Sequence, residues 1–286
     1  MVMRELFVAC CARLREAGIS DAATDVRVLV DFVMGQGALF AARFPQYEPT
    51  PEQYSRLTEL VSRRAAHVPV AYLVGEKEFM GLPFLVDPDV LIPRGDTECL
   101  VEAALDYLKH CQTGKPVRIL DIGTGSGAIA VSVAKYCTNA QVTGIDLSEA
   151  ALRIAGRNAE KNRVEDRCRF LQCDILHRIP EGEYDLVLSN PPYIPPDVLA
   201  GLEPDVRDYE PRTALTDGHD GLDFYRRISR MAPGLLPGGG ALYLEIGCEQ
   251  KKDVTGILQK DGWDGIAVQC DLAGRPRVVS GVWNKR

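Results

Sequence analysis

Val117-Arg118-Ile119-Leu120-Asp121-Ile122 runs directly into Gly123-Thr124-Gly125-Ser126-Gly127 and then into Ala128-Ile129-Ala130-Val131-Ser132-Val133-Ala134. The first six residues form a short aliphatic run of the kind that builds a strand buried on both faces of a parallel sheet. The glycines permit a tight turn and let a ligand approach the backbone. The apolar run behind them reads as a helix whose first N–H groups are free. Strand, glycine turn and helix together predict an α/β fold. The next run, Gln141-Val142-Thr143-Gly144-Ile145-Asp146, ends in an acid. It lies about twenty residues past the glycines, where a carboxylate commonly binds the two hydroxyls of a ribose.

Two cofactors compete for this pattern. Gly125-x-Gly127-x-x-Ala130 fits the dinucleotide fingerprint, and Asp146 would serve NAD equally well. Against that, Asp121 before the loop and Asp146 after it form a pair of acids. They would repel a pyrophosphate and suit an adenosyl ligand with a cationic methionyl end.

Asn190-Pro191-Pro192-Tyr193 weighs on the second side. It closes another strand-like run, Tyr184-Asp185-Leu186-Val187-Leu188-Ser189. The prolines forbid further ladder pairing and hold the backbone extended. Asn190 is therefore expected at the carboxyl end of a central strand, where open α/β sheets bind ligands. Its side-chain oxygen and the Pro191 carbonyl can accept both hydrogens of a planar NH2 group, with Tyr193 stacked on its face. Hydride transfer has no evident use for such a clamp, so S-adenosyl-L-methionine is the expected cofactor. A nicotinamide oxidoreductase and a non-catalytic adenosyl-binding module stay open behind it.

The order of these elements resembles the HemK/PrmC family, the glutamine methyltransferases of peptide-chain release factors, and the resemblance is strongest from about Pro69 to Val279. It is carried by Pro69-Val70-Ala71-Tyr72-Leu73-Val74-Gly75 and by Val90-Leu91-Ile92-Pro93-Arg94 with Thr97-Glu98. Downstream it continues in Glu210-Pro211-Arg212-Thr213-Ala214-Leu215, Glu245-Ile246-Gly247 and Asp271-Leu272-Ala273-Gly274. Gly95-Asp96 stand where the family has Pro-Glu, which loosens one backbone position but keeps an acid. The resemblance implies a class I methyltransferase. It assigns Gly123, Thr124, Gly125, Ser126 and Gly127 to the cofactor loop and Asp146 to the ribose. Asp174 and Ile175 fall to the adenine environment, and Asn190, Pro191, Pro192 and Tyr193 to a substrate glutamine. It also implies that the substrate is the Gly-Gly-Gln loop of release factors; a glutamine of a ribosomal protein is the alternative within the family. An adenine amino methyltransferase would use the same clamp on a flipped base.

Composition narrows the partners. The chain has 286 residues, 46% hydrophobic and 26% charged, with a formal charge of −7. Nucleic-acid readers carry a basic face, whereas here the basic pairs Arg63-Arg64, Arg226-Arg227 and Lys251-Lys252 are scattered. No direct nucleic-acid contact, no membrane span and no secretory leader are expected. Nine cysteines without CxxC spacing point to reduced thiols in the cytoplasm. Cys10-Cys11 and Cys168 with Cys173 lack clustered histidine partners, so no metal is expected. His67, His110, His177 and His219 sit in no recognisable motif.

Residues 1–72 carry helical spacing in Leu6, Ala9, Cys10, Arg13 and Leu14, in Val26, Leu29, Val30 and Val33, and in Tyr54, Leu57, Leu60 and Val61. Thr50-Pro51-Glu52 reads as a helix start with proline at its first position. We expect a small helical domain there that grips a protein substrate, a hairpin linker over 73–90, and the methyltransferase domain over 91–286. The expected fold is α/β, a Rossmann-like doubly wound sheet. Gly265-Ile266-Ala267-Val268 and Arg277-Val278-Val279-Ser280 would form an antiparallel edge hairpin. A monomer is expected.

Overall fold

The computed structural model describes residues 1–110 and 115–284. The chain divides into two compact units, Met1–Glu76 with Glu203–Tyr209, and Lys77–Leu202 with Glu210–Arg286.

In the first unit, α1 (Met3–Glu16), α2 (Ala22–Met34), α3 (Phe40–Arg43), α4 (Pro51–Ala65) and α5 (Val70–Val74) enclose one core. Val33 is half-buried and Ala9, Arg13 and Tyr54 face solvent, while Leu6, Cys10 and Leu14, then Val26, Leu29 and Val30, then Leu57, Leu60 and Val61 are all buried. Their i, i+3, i+4 spacing puts one apolar stripe on each long helix. α4 starts at Pro51: Thr50 Oγ1 accepts the Gln53 N–H at 3.3 Å, and the Gln53 side chain accepts the Thr50 N–H at 2.9 Å. This reciprocal cap satisfies two backbone donors that the helix itself cannot. Arg64 is buried with two acids, Asp25 Oδ2 at 2.6 Å and Asp205 Oδ2 at 3.3 Å. The second of these comes from the returning segment.

Next come the two-stranded sheet β1 (Glu76–Phe79) and β2 (Leu82–Leu85) and then α6 (Gly95–His110). A seven-stranded sheet organises the second unit. Its first half is β3 (Val117–Ile122), α7 (Ala128–Tyr136), β4 (Ala140–Asp146), α8 (Glu149–Asn162), β5 (Cys168–Gln172) and β6 (Leu186–Ser189). Three single-turn helices follow, α9 (Pro196–Leu199), α10 (Pro204–Arg207) and α11 (Arg212–Leu215). The chain ends with α12 (Asp223–Met231), β7 (Gly240–Glu245), α13 (Lys251–Asp261), β8 (Asp264–Cys270) and β9 (Pro276–Trp283). The strand order is β5-β4-β3-β6-β7-β9-β8. Pairing is parallel except at β9, which runs against both β7 and β8. The expected edge hairpin is present, with Ala267 opposite Ser280 and Val268 opposite Val279.

Alternation along β3 serves two cores. Val117 and Ile119 enter one apolar cluster and Leu120 and Ile122 the other. Both sheet faces are therefore covered, as its near-continuous aliphatic strands require. From β3 the chain winds outward to β4 and β5, then crosses back to β6 on the other side. That reversal opens a crevice at the carboxyl ends of β3 and β6, which is where a ligand site belongs.

Candidate active site

A cavity of about 410 Å³ occupies this crevice. Its floor is Gly123 and Gly125 after β3, with Asp146, Leu147 and Ser148 at and beyond the end of β4. Its walls are Cys173, Asp174, Ile175 and Leu176 after β5, and Ser189, Asn190, Pro191 and Pro192 at and beyond the end of β6. Pro88–Leu91, Pro211, Thr213, Ala214 and Phe224 line it further. The volume is that of a small-molecule or cofactor site.

The glycine loop is a backbone device. Gly127 has φ of +79° at the start of α7, and a Cβ on it would stand 3.0 Å from the Ala155 Cβ. Only glycine combines that left-handed backbone with the close approach of α8. Ser126 is buried, and its carbonyl accepts the Asn158 amide at 2.8 Å. Thr124, Ser126 and Gly127 thus shape the loop from behind and do not line the cavity, whereas Gly123 and Gly125 do.

Asp146 stands on the floor, braced by two backbone donors. Its Oδ2 accepts the Gly125 N–H at 2.9 Å and its Oδ1 the Ser148 N–H at 2.9 Å. Burial raises its pKa, and these backbone bonds work against that rise. Each oxygen keeps a lone pair for a ligand hydroxyl. The Gly125 N–H, which a pyrophosphate would need, is already given to Asp146.

Asp121 sits elsewhere than the acid-pair reading places it. It is completely buried beneath the loop, off the cavity wall, and Oδ2 accepts the Thr124 hydroxyl at 2.6 Å. Its Oδ1 has no partner among the described residues. Burial pushes its carboxyl up to about 7. At the far wall Ile175 is buried and presents an aliphatic surface. Asp174 spends one oxygen on the Leu176 N–H at 3.0 Å and the other on His177 Nδ1 at 2.8 Å. Its pKa is lowered, first by His177.

Asn190 follows directly from the sheet register. Ser189 of β6 pairs with Leu244 of β7, so the residues after them, Asn190 and Glu245, emerge side by side. The Asn190 Nδ2 donates to Thr97 Oγ1 of α6 at 3.0 Å. Pro191 and Pro192 line the cavity beside Asn190, and Tyr193 does not. The Tyr193 ring packs against the core while its carbonyl accepts Gln250 Nε2 at 3.1 Å. Burial raises its phenol pKa. The expected stacking ring is therefore turned into the protein, held by the fixed backbone at its own carbonyl.

Thr97 and Glu245 join the site without any signal in their residue type. Thr97 is 5% exposed and Glu245 1%. Both lie inside the stretches that carry the family resemblance, which was their only signal. The acid kept at Asp96 binds Arg277 Nη2 at 2.7 Å. Glu210 pairs with Arg94 and accepts the Ile92 N–H at 3.3 Å. Asp217, Asp220 and Asp223 bring carboxylates within 4.8 Å of one another. They are spent on the turn before α12: Asp217 accepts three backbone N–H groups, and Asp220 and Asp223 hold Arg226.

Residues 102–198 match the Methyltransferase small domain family, and residues 5–75 match the PrmC N-terminal domain family. The release factor glutamine methyltransferase of Clostridium acetobutylicum is 37% identical over 99% of this chain and 99% of its own length. The chain belongs to the release factor glutamine methyltransferase family. Another member, from Bordetella pertussis, is 43% identical over 90% of this chain and 93% of its own. Among solved structures, a methyltransferase from Pyrococcus furiosus covers 78% of this chain and all of its own at a TM-score of 0.52 and 21% identity. The hMettl16 catalytic domain in complex with the MAT2A 3'UTR hairpin 6 covers 79% of this chain and 83% of its own, at 0.57 and 17%. These two likenesses establish the class I methyltransferase fold shared with the release factor glutamine methyltransferases.

Proposed function

We propose that the chain transfers a methyl group from S-adenosyl-L-methionine to the side-chain amide nitrogen of a glutamine, in the Gly-Gly-Gln loop of peptide-chain release factors. One observation carries this reading. The Asn190 NH2 is tied to Thr97, which leaves the Asn190 Oδ1 as the free acceptor at the wall of the cofactor-sized cavity.

The residues present fit the cofactor. Asp146 would hold the ribose hydroxyls, Gly123 and Gly125 admit the ligand to the backbone, and Ile175 gives an apolar face for adenine. Bound there, S-adenosylmethionine supplies an electrophilic sulfonium methyl group. Asp174, already engaged with His177 and the Leu176 N–H, shapes the adenine end mainly through its backbone.

An amide nitrogen is a poor nucleophile because its lone pair is shared with the carbonyl. The Asn190 oxygen and the Pro191 carbonyl accept the two N–H hydrogens, orient the nitrogen and favour positive charge as it builds there. Pro192 stiffens the segment that carries both acceptors. None of the four histidines lines the cavity, so positioning and charge complementarity do the work, and the methylated nitrogen gives up one N–H proton to solvent. The first unit grips the protein substrate. The net charge of −7 supports a protein partner over nucleic acid, and the enzyme acts as a monomer in the cytoplasm. No helix among the described residues is long and apolar enough to cross a membrane.

The test supplies radiolabelled S-adenosylmethionine with a recombinant release factor, beside a variant whose Gly-Gly-Gln glutamine is alanine. Label on the intact factor alone supports the assignment. Label on a ribosomal protein or on adenine-containing DNA or RNA instead overturns the choice of substrate.

A further inference from the structure

An amide clamp works only if the asparagine faces the right way. With its oxygen toward the substrate, Asn190 accepts; turned by 180° it would present a donor to a donor. The two ends of a carboxamide have nearly the same shape, so packing cannot choose between them. Hydrogen-bond partners must.

Two buried groups meet behind Asn190. The strand register sets Glu245 beside it, and α6 places Thr97 against it, with Asn190 Nδ2 to Thr97 Oγ1 at 3.0 Å. Thr97 and Glu245 are almost fully buried, and Glu245 Oε2 makes no hydrogen bond among the described residues. A carboxylate can only accept. It therefore draws donors toward itself, the Thr97 hydroxyl and the Asn190 NH2, and turns the Asn190 oxygen away toward the cavity.

We infer that Thr97 and Glu245 are positioning residues that fix the orientation of the Asn190 carboxamide for methyl transfer. This rests on the amide-clamp reading above.

The surroundings make the arrangement sensitive to protonation. Burial pushes the Glu245 carboxyl up to about 7, against the pull of Thr97, Arg277 and Asn190. Arg277 of β9 favours the anion and Asp96 of α6 opposes it. Cys99 of α6, Tyr193 and Tyr225 of α12 also feel its charge. Arg277 in turn is shared with Asp96 and Asp271, so among the described residues Glu245 has no cation to itself. Once protonated, Glu245 becomes a donor and no longer requires the NH2 end of Asn190 to face it.

The experiment measures kcat and KM on the release factor, together with the dissociation constant for S-adenosylmethionine. It compares wild type, Thr97→Val, Thr97→Ser and Glu245→Gln between about pH 5.5 and about pH 9. For Thr97→Val we expect kcat to fall about 10- to 100-fold, the range of one lost buried hydrogen bond. Cofactor binding should stay within about twofold and Thr97→Ser should restore most of the rate, since only the hydroxyl matters. Wild-type kcat should rise with pH and level off above about 7. Glu245→Gln, which resembles the protonated acid at every pH, should be slow and flat. Full activity in Thr97→Val, failure of Thr97→Ser to rescue it, or a wild-type pH profile in Glu245→Gln would each overturn the inference. The Thr97 pair decides the matter even where Glu245→Gln fails to fold. Absence of wild-type turnover on the release factor would instead overturn the substrate assignment, and the variant-to-wild-type ratio on the true acceptor would then decide the positioning role.

Discussion

Asp146→Asn isolates the charge on the cavity floor with almost no change of shape. Both carboxylate oxygens accept a backbone N–H at 2.9 Å, one from Gly125 and one from Ser148. A carboxamide can satisfy only one of them and must point its NH2 at the other, or at the ligand. Whichever way it turns, the variant takes the charged acceptor away from the ligand hydroxyls and forfeits at least one charge-assisted hydrogen bond to them, about 1.5–3 kcal/mol. That corresponds to a cofactor dissociation constant about 10- to 150-fold weaker. Isothermal titration calorimetry of purified protein with S-adenosylmethionine reads this directly. At saturating cofactor and release factor, kcat should stay within about threefold of wild type, because the lost interaction holds cofactor in ground and transition state alike. An unchanged dissociation constant would refute the ribose role. A loss confined to kcat would move Asp146 from cofactor binding to the chemical step.

Asn190→Ala should show the reverse pattern: turnover reduced by at least about 100-fold, as when one donor of a preorganised hydrogen-bonding site is removed, with cofactor affinity within twofold of wild type by titration (about 0.4 kcal/mol). Gly144→Ala places a Cβ 2.7 Å from the Thr124 Oγ1 and 2.8 Å from the Phe170 ring. It should cost about 1–3 kcal/mol of stability in denaturant titration and weaken cofactor binding through the displaced loop; wild-type values in both would refute the packing argument. Asp121, with its carboxyl near 7, binds a proton in the folded state that the unfolded chain releases near its ordinary value of about 3.9. Its contribution is therefore full below about 4 and is lost as pH rises toward 7, by at most ~1.4 kcal/mol per pH unit. Asp121→Asn should flatten the fall of Tm between pH 5 and 7, and an unchanged slope would remove Asp121 as its source.

β3, β4 and β6 were legible because each announces itself alone: they are aliphatic runs that lead into Gly123, Asp146 and Asn190. Direction at the strand ends was not legible. Asp121 and Asp146 look equivalent as two acids flanking a glycine loop. The pleat and the loop send one beneath Thr124 and the other onto the cavity floor. Tyr193 follows Asn190 closely, yet the bond from Gln250 to its carbonyl turns the ring inward. Glu245 and Thr97 needed the fold most. They lie 55 positions after and 93 before Asn190, and only the pairing of Ser189 with Leu244 and the entry of α6 join them. Chain order supplies neighbours along a strand; adjacency across strands comes from topology.

The helical unit is not one piece of string. Because it takes in Glu203–Tyr209, the polypeptide passes between the two units three times, at residues 76/77, 202/203 and 209/210. A single cut at the first junction yields an N-terminal fragment in which Arg64 has lost Asp205 and Ala66 has lost the Tyr209 hydroxyl. The complementary fragment carries an orphaned loop. Grafting the helices of one relative onto the sheet of another should therefore keep the Arg64–Asp205 pair only when both stretches travel together.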